Sequence, residues 1–290
     1  MKNILLTGAN GFVGSYFQAK YAQSCGIRTF SFLHDNFKAL HVKGVDVVLH
    51  LSALVHQIGG ASEEEYERVN VTQTLELAKK AKRSGVRQFV FMSTVKVYGE
   101  ESDVPYTETT TCKPEDAYGE SKLKAENELK KLESDDFIVS IIRTPIVYGY
   151  GVKANIKNLI SLVKKVPVLP FGKISNKRSM VYVGNLCYIV DAIIKQQKQG
   201  VFLAADIEAF STTRLIELIT DALGRRICLV RVPFFESFLK LAKPSFHKRL
   251  YGSLEVNNTE TMSRLFGEGK PSLPYSVEDG IKLMLTKDAK

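Results

Sequence analysis

The N-terminal stretch KNILLTGANGFVGSYFQAKYAQ, residues 2–23, contains the clearest structural signal in the chain. A short apolar run leads directly into Gly8, Gly11 and Gly14, which open a helical pattern. This spacing predicts a strand, a tight turn and a helix. The first glycine forms the turn, the second lets a pyrophosphate approach the backbone, and the third lets the helix pack on the strand. Because N–H groups at a helix start attract phosphate, the stretch predicts a dinucleotide-binding unit.

Apolar runs and helical patterns continue to alternate after this unit. The alternation predicts an α/β fold, a Rossmann-like doubly wound parallel sheet. The continuous apolar run at 46–53 is typical of a strand buried in such a sheet. The predicted strands are 27–33, 46–53, 86–94 and 137–149, and the predicted helices are 63–84 and 116–132.

The texture of the sequence changes after Gly149, where glycines, prolines and Lys-rich loops interrupt the helical patterns. We therefore predict a dinucleotide-binding Rossmann domain at residues 1–149 and a mainly substrate-binding lobe at residues 150–290. One strand near 200–205 is expected to return from that lobe to the sheet.

Composition limits the classes of partner. The 290 residues have a formal net charge of +9, but the basic residues are dispersed and no nucleic-acid-binding motif accompanies them. We expect no nucleic-acid partner, and binding of anionic small molecules, phosphates in particular, is the simpler explanation of the charge. The four cysteines are scattered without a CxxC pair, so no metal site is expected and a reducing cytoplasm fits. We also expect no integral membrane segment, because no apolar run approaches about 18 residues.

The segment YGESK at 118–122 raises a question of chemistry, because Tyr118 and Lys122 are four residues apart on one helix face. One explanation is a solvated helix, since Glu120, Lys124 and other charged residues surround them. The alternative is a proton-transfer set. Thr94 ends the apolar strand at the sheet edge where ligands bind, and a nearby ammonium would lower the pKa of the phenol.

Taken together, these motifs resemble the extended short-chain dehydrogenase/reductases, and more narrowly the NAD-dependent epimerase/dehydratase family that acts on sugar nucleotides. The resemblance implies NAD or NADP as cofactor, a UDP-sugar as substrate and a homodimer formed through the helices at 63–84 and 116–132. It also implies catalytic roles for Thr94, Tyr118 and Lys122. The motifs are TGxxGxxG at 7–14, HLSA at 50–53, Asn70, ST…VYG at 93–99 and YGESK at 118–122.

The resemblance also assigns binding residues. Substrate contacts are expected from Thr94, Lys153, Asn155 and Arg178, with Arg178 on the nucleotide diphosphate. For Lys153 and Asn155, a surface lysine and a helix cap are equally good explanations. Cofactor contacts are expected from Gly8, Asn10, Gly11, Phe12, Val13, Gly14, Asp35, Leu51, Ser52, Ala53, Asn70, Ser93, Tyr118, Lys122, Pro145 and Val147.

The chain departs from the family pattern at two places. After the second strand it reads FSFLHDN, so Asp35 comes late for the acidic residue that binds the adenosine ribose, and it is equally well a turn residue. Only a dozen residues then precede the strand at 46–53, so a strand or helix of the usual fold is expected to be missing, and the choice between NAD and NADP stays open. The second departure is Val95 and Lys96, which stand where 4,6-dehydratases carry an acidic pair. Because the elimination of water needs that additional acid and base, we do not expect dehydratase activity.

Two reactions at C4 of the sugar are compatible with these motifs. Segments such as NKRSMV and YGSLEV are similar to the subgroup that reduces UDP-4-keto-6-deoxy-N-acetylhexosamines in surface-polysaccharide synthesis. We therefore favour a 4-ketoreductase, with a UDP-glucose or UDP-N-acetylglucosamine 4-epimerase that retains NAD as the alternative. A catalytically silent NAD(P)-binding sensor is a distant third, since a sensor would not need Thr94, Tyr118 and Lys122 together.

Two further features have an open role. His56 follows the strand at 46–53, where it is either a substrate contact or, as we favour, an ordinary loop histidine. The basic, amphipathic segment at 229–250 is interpreted as a lid or core helix of the substrate lobe, with a membrane-surface helix as the alternative.

Overall fold

The structure is a computed structural model that describes residues 1–55, 61–152, 154–269 and 273–286. The strands are β1 Asn3–Thr7, β2 Gly26–Phe30, β3 Val47–His50, β4 Gln88–Thr94, β5 Ile138–Thr144, β6 Ile146–Tyr148, β7 Val168–Leu169, β8 Met180–Tyr182, β9 Gly200–Leu203 and β10 Cys228–Leu229. The helices are α1 Phe12–Tyr21, α2 Glu63–Tyr66, α3 Gln73–Arg83, α4 Ala117–Lys130, α5 Ala154–Lys165, α6 Val183–Gln196, α7 Thr212–Ala222, α8 Phe235–Ala242, α9 Pro244–Tyr251, α10 Thr259–Phe266 and α11 Val277–Leu285.

A six-stranded parallel sheet in the order β2-β1-β3-β4-β5-β9 forms the centre of the molecule. Every residue of β3 is buried, which explains its continuous apolar sequence. Apolar clusters cover both faces of the sheet, one including Ile4 and Leu6 and the other including Leu5 and Val48. The predicted doubly wound α/β fold is confirmed, and β9 is the strand that returns to the sheet.

The chain crosses directly from β2 to the other side of β1, where β3 pairs with β1. The usual doubly wound order places one more strand outside β2. Here β2 is an edge, and no strand pairs with its outer side in the described ranges. Arg28 of β2 donates instead to the carbonyl oxygen of Lys43 in the connecting loop, at 3.0 Å. The sequence predicts that a strand or helix of the usual fold is missing from the short 33–46 segment, and the strand order confirms that the strand outside β2 is missing from the described ranges.

The helix predicted at 63–84 is continuous but contains a π-helical segment at Glu67–Thr72. Ser62 and Glu65 form a capping box at its start. Single π-helical turns are frequent at functional sites, because the extra residue per turn redirects a side chain. Asn70, one of the residues predicted at the site, lies within this segment and is buried.

The part of the chain after β5 forms two small two-stranded sheets, β6-β8 and β7-β10. The buried Asp206 connects this region by accepting hydrogen bonds from the Tyr148 hydroxyl at 2.8 Å and the Asn185 amide at 2.8 Å. Leu186 of α6 packs in the same apolar cluster as residues of β1. The division into domains at residue 149 stays a prediction. Among the described helices, none has the length and apolar character needed to cross a bilayer.

Candidate active site

The glycine-rich turn between β1 and α1 is built so that other side chains would not fit. Gly8 has φ +72°, and a Cβ there would lie 2.9 Å from the backbone of Leu51. A Cβ on Gly14 would lie 2.2 Å from the carbonyl oxygen of Gly8, so only glycine lets the helix pack this closely on the turn. These contacts show the tight turn and the close helix packing that the glycine spacing predicts, and the dinucleotide contact stays a prediction.

The start of α1 presents free donors at the same place. Gly11 is its N-cap residue and supplies no side-chain cap. The first N–H groups of a helix have no acceptor within the helix, so those of Phe12 and Val13 are available to a phosphate. The side chains of both residues pack on the apolar core, which leaves their backbone for the predicted contact, while Asn10 lies in the turn just before.

The loop after β3 lies against the glycine turn. Ser52 donates its N–H to the Thr7 hydroxyl at 3.2 Å, and the same hydroxyl bonds His50 Nδ1 at 2.7 Å. The structure therefore brings Leu51 and Ser52 beside Gly8, with Ala53 next in the loop, and their cofactor contacts stay predictions. Burial lowers the pKa of His50 to about 3, so this ring is neutral and serves as a connector between β1 and α3.

Asn70 uses its amide to hold protein groups. Its Oδ1 accepts from Leu54 N–H at 2.8 Å, and its Nδ2 donates to Leu54 O and to Ser121 Oγ, both at 2.9 Å. It thereby fixes the loop after β3 against α4. In this structure the Asn70 amide is used to position the loop after β3, and the cofactor contact of Asn70 stays a prediction.

Thr94 and Tyr118 meet at a cavity of about 310 Å³, which Lys96, Pro145 and Arg178 also line. Tyr118 is placed by α4, whose N-cap Asp116 accepts from Gly119 N–H at 2.7 Å. Burial raises the pKa of Tyr118 well above its ordinary value, the charge of Asp116 adds to this, and the Thr94 hydrogen bond opposes it.

This direction differs from the lowered pKa that the sequence predicts for Tyr118, and the reason lies in Lys122. Lys122 is buried, and desolvation lowers its own pKa to about 7, with Glu126 opposing the change. Its Nζ lies 3.9 Å from the centre of the Phe91 ring. Because the Lys122 amine is only partly protonated at neutral pH, its charge stabilises the Tyr118 phenolate only weakly. A further positive charge beside Tyr118 is needed to lower the pKa of the phenol.

Beneath these residues lies a buried ion pair whose role sequence analysis missed. Glu126 and Arg143 are joined by three hydrogen bonds of 2.5–3.2 Å between Nε or Nη2 and the carboxylate. Ser93 donates to the same carboxylate at 2.5 Å, so its hydroxyl is turned to the pair, and the predicted cofactor contact does not come from this hydroxyl as placed. Glu126 is fully buried, unlike a residue on the solvated helix face that was one of the two explanations of this segment. The available signal was its spacing, because Tyr118, Lys122 and Glu126 recur every fourth residue on one face.

Lys96 occupies the cavity wall at the position where dehydratases carry an acid. Its ammonium pairs with Glu100 at 2.9 Å and with Asp116. A cation neutralised by two carboxylates does not supply the extra acid and base that elimination requires. The geometry agrees with the expectation against dehydration.

Arg178 joins the first cavity to a second one of about 210 Å³, because it lines both. Its Nε donates to Gly252 O at 3.0 Å, which holds the side chain in place. Asn155 of α5 and Phe210 line the second cavity. Lys153 and His56 lie outside the described residues.

The three remaining residues that were predicted to contact the cofactor lie in different environments. Pro145 lines the cavity that contains Thr94 and Tyr118, whereas the Val147 side chain packs against the apolar core. Asp35 accepts a hydrogen bond from Ser31 N–H at 2.8 Å and closes the turn after β2. Its carboxylate is therefore a turn cap at the end of the strand where a ribose contact is expected.

Comparison with known proteins identifies the family to which this chain is similar. The model of the "NAD dependent epimerase/dehydratase family" matches residues 4–205. The "UDP-glucose 4-epimerase" of Vibrio cholerae is 35% identical, with 97% of this chain and 94% of that protein covered. A 4-epimerase of Escherichia coli O157:H7 is named for N-acetyl-alpha-D-glucosaminyl-diphospho-ditrans,octacis-undecaprenol. It is 26% identical, with 80% of this chain and 76% of that protein covered.

Among solved structures, the UDP-glucuronic acid 4-epimerase from Bacillus cereus in complex with NAD superposes with a TM-score of 0.75. The two chains are 19% identical, and the match covers 97% of this chain and 96% of the other. At this identity the similarity concerns the fold, which is the same Rossmann-like arrangement.

Proposed function

The chain belongs to the NAD-dependent epimerase/dehydratase family, and we propose that it is a UDP-sugar 4-epimerase, a sugar-nucleotide enzyme that uses NAD or NADP. The observation that supports this most directly is that Thr94 and Tyr118 line one cavity together with Arg178. The Vibrio cholerae relative, similar along nearly the whole chain, is named for this reaction. Both relatives named above are 4-epimerases of sugars linked to a diphosphate.

In the proposed reaction Tyr118 takes the proton of the sugar C4 hydroxyl and later returns it. Thr94 holds the same oxygen through its hydroxyl, which keeps the C4 oxygen within reach of the phenol. When bound, an oxidised dinucleotide would supply a hydride acceptor for C4 and a positive charge beside Tyr118. Because burial raises the pKa of Tyr118, the phenol stays protonated until that charge is present, so deprotonation is coupled to the loaded site.

Lys122 is proposed to bind the nicotinamide ribose from below the phenol. Its burial supports this role, because a lysine that has lost its hydrating water is stabilised by hydrogen bonds to the ribose hydroxyls. The Glu126–Arg143 pair supports the site indirectly by fixing α4 to β5 under Lys122. Gly8, Gly11 and Gly14 hold the pyrophosphate against the start of α1 in this proposal.

Arg178 is proposed to bind the diphosphate of the sugar nucleotide. Its position between the two cavities supports this, since the sugar would enter the cavity with Tyr118 and the nucleoside the cavity with Asn155 and Phe210. Desolvation lowers the pKa of Arg178 relative to its ordinary value, yet a guanidinium remains charged at neutral pH. A half-buried guanidinium that meets a diphosphate forms charge-assisted hydrogen bonds, which are stronger than neutral ones.

The 4-ketoreductase favoured from sequence is the second candidate, and it rests on segments such as NKRSMV and YGSLEV. The comparisons do not specifically support it. Both reactions would use Thr94, Tyr118 and Lys122, and they differ in whether the hydride stays with the enzyme. The homodimer and the cytoplasmic location stay predictions as well, and light scattering of the purified protein would measure the first of them.

The deciding experiment is to denature the freshly purified protein and quantify the released NAD(H) and NADP(H). We expect bound NAD near one per chain, together with interconversion of UDP-glucose and UDP-galactose, or of the N-acetylated pair, without added cofactor. A chain that is purified empty and oxidises NADPH only when a UDP-4-keto sugar is added would instead establish the reductase.

Replacement of Tyr118 by Phe tests the catalytic assignment. Loss of the proton-transfer group is expected to lower turnover by about 10²–10⁴-fold while dinucleotide binding persists. The matched control is Tyr66→Phe, because its ring centre lies 6.2 Å from that of Tyr118 and it undergoes the same loss of a hydroxyl. Equal activities of the two variants would contradict the assignment.

A further inference from the structure

The exposed aromatic residues of this chain are concentrated in one segment. Of its 16 phenylalanines, the three that are exposed are Phe234, Phe238 and Phe246, with 86%, 63% and 43% of their surface accessible. Leu241, between them, is 89% exposed. Single exposed apolar residues are ordinary, but a cluster on one short segment marks an interaction surface.

The cluster arises because α8 has two apolar faces. Phe235 and Leu239 face inward, where Leu239 is buried and the Phe235 ring lies 6.3 Å from that of Phe171. Phe238 and Leu241 lie three residues apart on α8, and Phe234 is its N-cap residue; all three side chains are exposed, so they form an apolar stripe on the solvent-facing side. The inward face anchors the helix, and the outward stripe is not needed for that.

Basic residues surround this stripe. Residues 231–249 contain Arg231, Lys240, Lys243, Lys248 and Arg249, all of them exposed, against the single acidic residue Glu236. The Glu236 carboxylate lies 3.4 Å from His247, within the same helix pair. The surface therefore combines protruding apolar side chains with a local excess of positive charge.

The same helix pair forms part of the wall of both cavities. Lys248 of α9 lines the cavity that contains Tyr118, and Phe246 and Arg249 line the second cavity. A partner seated on α8 and the N-terminal part of α9 would therefore lie beside the entrance to the site.

We propose that the outward surface of α8 and α9, defined by Phe234, Phe238, Leu241, Lys240 and Lys243, docks the protein on an anionic lipid bilayer. Short aromatic and leucine stripes insert at the boundary between headgroups and acyl chains, and flanking lysines bind the negative headgroups. Lysine side chains extend from an apolar surface to the charged layer above it, which suits Lys240 and Lys243 beside the stripe. The charge complementarity favours an anionic bilayer over a neutral one. This surface does not depend on the activity proposed above.

The test is flotation of the full-length protein with vesicles of phosphatidylcholine and phosphatidylglycerol in a 3:1 ratio, compared with phosphatidylcholine alone. We expect binding to the anionic vesicles that weakens as salt rises, because lipid charge is screened. Each lysine near an anionic surface contributes roughly fivefold in partitioning, so K240Q/K243Q should reduce binding to anionic vesicles by about 25-fold. F234S/F238S/L241S should reduce it on both vesicle types.

Matched variants separate this effect from general loss of charge or apolar surface. V104S/I207S removes two exposed apolar side chains elsewhere, and K43Q/K165Q removes two exposed lysines elsewhere. Both are expected to bind vesicles like the unaltered protein, and thermal unfolding confirms that all variants are folded. Absence of binding to anionic vesicles, or equal loss in the control variants, would overturn the proposal. A change of oligomeric state in F234S/F238S/L241S without any vesicle binding would also overturn it, by assigning the surface to a protein contact.

Discussion

The buried ammonium of Lys122 makes a quantitative prediction, because its pKa falls from the ordinary 10.5 to about 7 through desolvation. Between these values the unfolded chain binds a proton that the folded chain binds only in part. The free energy of unfolding therefore rises with pH between about 7 and 10.5. Below pH 7 the folded protein bears the full free-energy cost of burying Lys122. At about 1.4 kcal/mol per pH unit, the cost of folding with this lysine is about 4 kcal/mol at pH 7 and about 1.4 kcal/mol at pH 9.5.

Replacement of Lys122 by Met should therefore stabilise the cofactor-free protein while abolishing its activity. The contact of Nζ with the Phe91 ring, 3.9 Å from its centre, offsets part of the cost in the unaltered protein. We expect a net gain in the free energy of unfolding of about 2–4 kcal/mol at pH 7 and about 1 kcal/mol or less at pH 9.5. Urea titrations followed by circular dichroism at both pH values measure it.

The control is Lys124→Met on the same helix. Its side chain is 57% exposed and pairs with Glu67 at 2.7 Å, so its removal should change stability by less than about 1 kcal/mol at either pH. A K122M variant less stable than the parent at pH 7, or a gain of equal size at both pH values, would refute the reasoning about desolvation.

Three further outcomes follow from other buried contacts. Gly14→Ala places a Cβ 2.2 Å from a carbonyl oxygen of the turn, so urea titration should show a loss of about 1–3 kcal/mol, with weaker dinucleotide binding by calorimetry. Glu126→Gln removes the carboxylate partner of buried Arg143 and should cost about 3–5 kcal/mol, against little change for Glu128→Gln at an exposed site. Because burial lowers the pKa of His50 to about 3, stability should be full above pH 6.5 and fall by about 2 kcal/mol by pH 5, and a His50→Asn variant that shows the same slope would contradict this.

The sequence was sufficient where local stereochemistry decides the structure. The spacing of Gly8, Gly11 and Gly14 predicts the turn because a Cβ at the first or third position would collide with backbone only a few residues away or in the adjoining loop. The short connection after β2 predicts that the outer strand is absent, since about a dozen residues are too few for a crossover that adds a strand. Both signals are contained within one or two neighbouring segments.

Sequence was insufficient where distant segments decide what a side chain faces. Ser93 and Thr94 are adjacent hydroxyls at one strand end, yet Thr94 lines the catalytic cavity while Ser93 donates to Glu126 on the other side. The alternation of a strand fixes that they point apart, but which one faces the site depends on how α4 packs. The burial of Lys122 and Glu126 is likewise a property of the packed helix, since their charged neighbours on α4 resemble those of a solvated one.

The placement of Glu126 explains why Lys122 keeps a low pKa despite a carboxylate one helical turn away. Arg143 engages that carboxylate through three hydrogen bonds and Ser93 through a fourth, so the carboxylate points toward β5. A direct pair with Glu126 would raise the pKa of Lys122 and hold its ammonium away from Tyr118. By binding the carboxylate, Arg143 leaves the lysine poorly solvated, and a poorly solvated ammonium gains most from the ribose and substrate oxygens that enter the site. The ion pair that stabilises the fold thus also preserves the unfavourable environment of Lys122 on which the proposed chemistry depends.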